Sequence, residues 1–281
     1  MQGVGPQQRS RTRGSGYLLA EMTWPEVEAA REAAPLVIVP LGSCEQHGRG
    51  MALQTDTVRA VELAKLVAER MAPRAVIAPE TTVGLSEHHM GFPGTITLTP
   101  QTLQQVVYEM VHSLYRHGWR KVFLLNGHGG NNAVVDVVSV RLRTDFPDLH
   151  LASSGISALV PDVISQEGVS ELRGHSCEVE TSQALYLAPE LVRKESLVRG
   201  TNRRADLDAA GRLSRMHPAI HFPQPYHRLD PNGALGDATA ASAEFGERQV
   251  SVALDRLTSF LEQFIALPSP DAGSAAGPRP L

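Results

Sequence analysis

Four short stretches of the chain, 36–41, 75–78, 122–125 and 149–153, are almost continuously apolar. Unbroken rather than alternating apolar character suits strands of a parallel sheet covered on both faces. Between these stretches apolar residues recur at helical spacing. The clearest case opens with Thr99 as a cap and Pro100 in the first turn, and presents Leu103, Val106, Val107, Met110, Val111 and Leu114 on one side before Gly118 stops it. Residues 60–71 and 132–142 read as helices, as does a final segment with Val250, Ala253, Leu254, Leu257, Leu261 and Phe264 on one face. Strand and helix in alternation predict an α/β fold with right-handed crossovers. In such open sheets ligands bind beyond the carboxyl ends of the strands, so the polar residues after each apolar run are the ones to inspect.

Composition bounds the function. With 281 residues and 42% apolar content the chain can bury a full core. A formal net charge of −4 gives no sign of a nucleic-acid partner, and no run approaches the ~18 apolar residues that cross a bilayer. Residues 1–16 hold three arginines but no apolar h-region. They read as a disordered leader, 17–267 as one domain, and 268–281 as a disordered tail. The lack of a signal points to the cytoplasm. Two cysteines, Cys44 and Cys177, offer no disulfide framework.

The strand ends concentrate carboxylates and imidazoles. After 36–41 comes Gly42-Ser43-Cys44-Glu45-Gln46-His47-Gly48, then Asp56; after 122–125 comes Asn126-Gly127-His128-Gly129-Gly130-Asn131; further on lies His175-Ser176-Cys177-Glu178-Val179-Glu180-Thr181-Ser182. Mixed N and O ligands suit Zn, Mn or Fe(II), and a carboxylate shared by two cations about 3.5–4 Å apart is a hydrolase device. Each part has a plainer reading. Glu-x-His after a strand is weak alone, His128 could merely cap a helix, and Asp56 could be an N-cap. Two matched polar loops at strand ends together favour a site.

These segments resemble the creatininase (creatinine amidohydrolase) family over roughly residues 17–265. Glu45-Gln46-His47-Gly48 with Thr55-Asp56-Thr57 is similar to its first metal motif, and Ser86-Glu87-His88-His89 with Phe92-Pro93-Gly94-Thr95 to its substrate loop. Residues 126–131 and 175–182 resemble two more motifs, and Gly233, Gly236 and Asp237 a C-terminal turn. The resemblance implies a three-layer αβα fold with a mainly parallel central sheet. It further implies two divalent metals (Zn, Mn or Fe), a small-molecule substrate and a homohexamer. Glu45, Asp56 and His128 are expected at one metal, with His47 and the bridging Asp56 at the other. Creatininase itself has a glutamate two positions after the histidine matching His128, where this chain has Gly130. Glu178 is the expected replacement, because relatives with Asn-Gly-His-Gly-Gly-Asn carry a glutamate there, with Glu180 as runner-up; the two point in different directions across one helical turn, so only one is expected to bind. His175 is expected to donate a proton to a leaving nitrogen, and Ser86, Glu87 and His88 to contact substrate. The activity implied is hydrolysis of a C–N bond in a small amide, a cyclic one by the resemblance. Another bond, as in deformylases, peptidases or cyclic-ketone hydrolases, and a non-catalytic scaffold are the alternatives.

Two features stand outside this pattern. Each cysteine directly precedes an expected ligand, which raises either simple space filling or a pair of facing thiols. The span from Met216 to His227 holds three histidines and three prolines and reads as a long loop serving as a substrate wall or subunit contact rather than as a further metal site. Pocket walls are expected from 49–54 and 156–173.

Overall fold

The structure is a computed structural model that describes residues 16–217 and 219–268. Apart from Gly16 and Pro268, the expected leader and tail lie outside those residues. Four strands, β1 (Leu36–Leu41), β2 (Ala75–Ile77), β3 (Lys121–Asn126) and β4 (His150–Gly155), form a sheet in the order β2-β1-β3-β4. Every pairing is parallel, with Leu36 opposite Lys121 and Lys121 opposite His150. The helices are α1 (Trp24–Ala33), α2 (Thr55–Met71), α3 (Pro100–Arg116), α4 (Asn132–Asp145), α5 (Pro161–Glu167), α6 (Glu178–Leu187), α7 (Ala209–Ser214), α8 (Tyr226–Leu229) and α9 (Ala243–Ala266).

The continuous apolar runs have a direct structural reason. In β1, Leu36 and Ile38 face a cluster with Leu63 and Val67 of α2 and Leu257 and Leu261 of α9, while Val37, Val39 and Leu41 face Leu103 and Val107 of α3 and Val138 of α4. The central strand β3 divides likewise, Phe123 and Leu125 to one side and Val122 and Leu124 to the other. Helices therefore cover both faces and the expected three-layer αβα arrangement is present, with α6 packed on α9 outside it. Local signals set the helix starts. Thr99 Oγ1 accepts from Thr102 N, and Ser242 Oγ accepts from Phe245 N at the head of α9.

One boundary matters for chemistry. The second helix starts at Thr55, five residues before the predicted start, so Asp56 stands inside its first turn and Gln54 takes the cap position. The N-cap reading of Asp56 is thereby corrected: its side chain is buried beneath the carboxyl ends of β1 and β3, toward Ser43 and His128. The span from Met216 to His227, read as a long loop, runs at its end into the short helix α8, which seats Tyr226 against the same region.

Candidate metal centre

The loop after β1 carries Glu45 and His47 into the molecule, both buried. It is fixed at several points. Glu45 N donates to Leu53 O, Gln46 N donates to Thr95 Oγ1, and Gln46 Nε2 donates to Gly233 O. The last two bonds tie in the Thr95 and Gly233 segments singled out in the sequence. After β3, Gly127 N donates to Leu41 O, which locks the second loop to the first. A Cβ on Gly130 would run into His128 Nε2 and Leu85 O, so this position takes no side chain without moving the histidine.

Among the described residues, eight side chains converge. His47 Nε2 lies 3.1 Å from Asp56 Oδ1, His128 Nδ1 lies 3.1 Å from Asp56 Oδ2, and His128 Nε2 lies 3.2 Å from Glu45 Oε2. His89 Nε2 and His175 Nδ1 stand 3.3 and 3.7 Å from Glu45 Oε1, and His175 Nδ1 is 3.9 Å from Glu180 Oε2. Donor atoms fall into overlapping triads whose members lie within 4.8 Å of one another: Glu45 with His47 and Asp56, Glu45 with His89 and His175, Glu45 with His88 and His128, and His47 with His175 and Glu180. Despite these short distances, neither oxygen of Glu45 accepts an aligned hydrogen bond. Imidazole and carboxylate atoms gathered around a carboxylate that none of them meets with an aligned bond share a focus, which is the arrangement a cation requires. The donor set of imidazole nitrogens and carboxylate oxygens fits divalent Zn, Mn or Fe.

The electrostatics are those of a centre built around positive charge. Burial, then the Asp56 charge, push the Glu45 carboxyl up, and His128 and His47 pull it only part of the way back. Burial alone would raise Asp56 as well, but His47 and His128 hold it well below the carboxylate range. Burial pulls His47 down, but Asp56, with Glu180 and Glu45, draws it up to about 9. His88 is pushed down to about 4 by burial and then by His128. Burial, then His47 and His89, depress His175, and its Nε2 is spent on Gln46 O at 2.7 Å, so its Nδ1 faces Glu45 and Glu180 as a lone pair.

Of the residues expected from the sequence, Glu45, His47, Asp56, His128 and His175 come together. Ser86 is buried with its Oγ 3.5 Å from His128 Nε2, His88 stacks on His128 with ring centroids 5.6 Å apart, and Glu87 is exposed. Glu178 does not join them. It accepts from Ser170 N, Ser170 Oγ and Asp237 N, all at 3.0 Å, and so points away. Glu180, two residues on, turns to the cluster and accepts from Ser176 N at 2.7 Å. Three further residues were missed. His89 sits inside the site, Tyr226 stacks on it at 4.4 Å, and the buried Arg59 donates to Asp56, Glu180 and Gln183. The signal for Arg59 was its place one turn after Asp56 on the buried face of α2. The cysteines are free and have separate surroundings. Cys44 Sγ is 3.8 Å from Gly94 O, and Cys177 packs with Val179 and Phe245, its thiol pushed up to about 11 by burial.

Comparison with known proteins points to one family. The family model for creatininase, described as creatinine amidohydrolase, matches residues 20–261. The chain is 34% identical to a mycofactocin precursor peptide peptidase of Mycolicibacterium smegmatis over 76% of this chain and 79% of that protein. It is 30% identical to a creatinine amidohydrolase of Pseudomonas putida, over 87% and 96% respectively. A solved manganese creatininase superposes with a TM-score of 0.73 at 29% identity, covering 88% of this chain and 98% of that one. Solved creatininases also include a Zn–Zn form.

Proposed function

Because this chain belongs to the creatininase family, whose named relatives are hydrolases, we propose that it is a metal-dependent amidohydrolase that cleaves a C–N bond in a small amide. The observation that carries this is the Glu45 carboxylate, buried with both oxygens lacking a hydrogen-bond donor amid three imidazoles. Glu45, Asp56 and His128 would hold one divalent cation. His47, Asp56 and Glu180 would hold a second, with Glu180 in the place first expected of Glu178. Bound there, such cations would acidify a water and polarise the substrate carbonyl.

The protein's own groups do the rest. His175 receives the water's proton at the free Nδ1 and delivers it to the leaving nitrogen, while Gln46 O fixes the ring through Nε2. His88, neutral at physiological pH, and Ser86 offer hydrogen bonds to the substrate beside His128, with Glu87 at the rim. Arg59 holds Asp56 and Glu180 in place through a buried guanidinium. A peptide bond is the second reading of the substrate, favoured by the similarity to the peptidase. The reading also includes a cytoplasmic homohexamer, which fractionation and light scattering test.

Metal analysis of protein expressed with ample Zn and Mn, joined to a screen of cyclic amides, formamides and dipeptides, is the direct test. Two metals per chain and turnover of at least one amide are expected. A folded chain that retains no metal and hydrolyses nothing defeats the reading.

A further inference from the structure

A cavity of about 310 Å³ opens beside the cluster. Its wall includes His128, Glu180 and Arg59 from the centre, and Ile156, Val179 and Arg173 from beyond it. The two arginines differ. Arg59 spends its guanidinium on Asp56, Glu180 and Gln183. Arg173 is half-buried, and its hydrogen bond is a single long one to Ile164 O at 3.5 Å. Among the described residues no carboxylate lies within ion-pair distance of it. The chain makes room for this head group, since a Cβ on Gly168 would collide with Arg173 Nη1 and press on Cζ. A guanidinium presents five donors in a rigid fork, and removing it partly from water without an anion leaves those donors underused.

We propose that Arg173 is the recognition group for a carboxylate on the substrate, so that the molecule cleaved is an amide that also carries a carboxylate, with the apolar atoms between them packed on Ile156 and Val179. The inference rests on the metal-dependent hydrolase reading and adds the substrate class to it. The partner is a carboxylate rather than a phosphate because, among the described residues, Arg173 is the cavity-lining cation without an anion, and one guanidinium matches one negative charge.

The test is calorimetric titration of the metal-loaded full chain with the monohydroxamates of succinic, glutaric and adipic acids, each beside its neutral carboxamide counterpart. The hydroxamate anchors on the metals in both members of a pair, and only one member offers a carboxylate. At least one acid should bind about 10- to 100-fold more tightly than its carboxamide, the range of a charge-assisted pair. Arg173→Gln should bring that acid down to its carboxamide's affinity, with metal content as in the wild type. Gly168→Ala keeps the charge and displaces the head group, so it should shrink the preference; it and the wild-type pairs carry the test if Arg173→Gln does not fold. No preference in any wild-type pair, or a preference that survives Arg173→Gln, overturns the assignment. Metal content of the same samples separates the two layers. A chain that holds metal but shows no preference overturns the role of Arg173 alone, whereas a chain without metal overturns the hydrolase reading and this inference together.

Discussion

Two glutamates in this protein are equally hidden from water and differently used. Glu45, in the loop after β1, has a relative exposure of 0%, and Glu178, at the head of α6, has 1%. Glu178 is met by two backbone N–H groups and a hydroxyl, which is a complete answer for a buried carboxylate. Glu45 has no such donor, only imidazole nitrogens that do not aim a hydrogen at it. An uncompensated buried charge costs several kcal/mol, so of the two Glu45 is the carboxylate that a bound cation would compensate. Burial therefore does not distinguish a ligand from a structural carboxylate; the direction and number of donors do. Glu180 sharpens the point. It shares the first turn of α6 with Glu178, yet it faces His47 and His175 rather than Ser170.

The largest effect that could break this contrast lies at Glu45. Glu45→Gln should abolish the centre, lowering kcat by about 10²- to 10³-fold, the scale of losing one electrostatic stabiliser. In the wild type, metal at 100 times its Kd should add about 2.7 kcal/mol, or roughly 5–10 °C in Tm for a chain of this size. The variant should show no such rise, and a full metal-induced shift in Glu45→Gln would erase the distinction drawn above. Next come Glu180→Gln and His175→Ala, each expected to cost about 10²-fold in kcat. They separate by metal content, since Glu180→Gln should lose one equivalent and His175→Ala should keep both. Turnover unaltered by His175→Ala removes it from the reaction. Smaller still is Glu178→Gln, which leaves one donor facing an amide NH2 and should cost about 1–3 kcal/mol of stability with metal retained. Metal loss from Glu178→Gln, with none from Glu180→Gln, would restore Glu178 as a ligand.

Much of this was legible in the sequence for a specific reason. Strands buried on both faces must be apolar at every position, so β1 and β3 announce themselves, and the polar residues that follow them are placed at the sheet's carboxyl end by topology. That is why Glu45, His47, Asp56 and His128 could be named together. The choice between Glu178 and Glu180 was not legible. They are two positions apart on one helix, and what turns them is supplied from elsewhere: Ser170 and Asp237 capture the first, Arg59 and Ser176 the second. Tyr226 was hidden because three prolines nearby speak for irregular backbone, while the four-residue α8 is held by packing, with Leu229 buried among Leu172, Leu207 and Leu235. Of residues 156–173, Ile156, Ser157, Ala158, Ile164 and Arg173 line the cavity, yet nothing in their order shows that Gly168 is the seat of a guanidinium.

The smallest effect is read from the chelated protein's stability against pH, and it opposes two histidines of the same centre. His89 is pushed down to about 2 by burial and then by its imidazole neighbours, whereas in the unfolded chain it titrates near 6.5. Below pH 6.5 the unfolded chain takes up a proton that the folded site refuses. The stability His89 contributes is therefore present above 6.5 and falls with pH by about 1.4 kcal/mol per unit, roughly 2 kcal/mol at pH 5. His47 has the reverse sign. Burial pulls it down, Asp56 with Glu180 and Glu45 together outweigh burial, and the folded pKa stands at about 9. Its contribution is complete below 6.5 and is lost as pH rises through 9. The metal-free Tm should thus peak near neutrality. His89→Gln should flatten the acid limb by its own share, leaving that of His88 and His175, and His47→Gln should flatten the alkaline limb. Thermal melts in chelator from pH 5 to 9.5 decide it: an acid limb as steep in His89→Gln as in the wild type means that His89 is not held neutral by its surroundings, and the crowded, cation-seeking character assigned to this side of the centre fails with it.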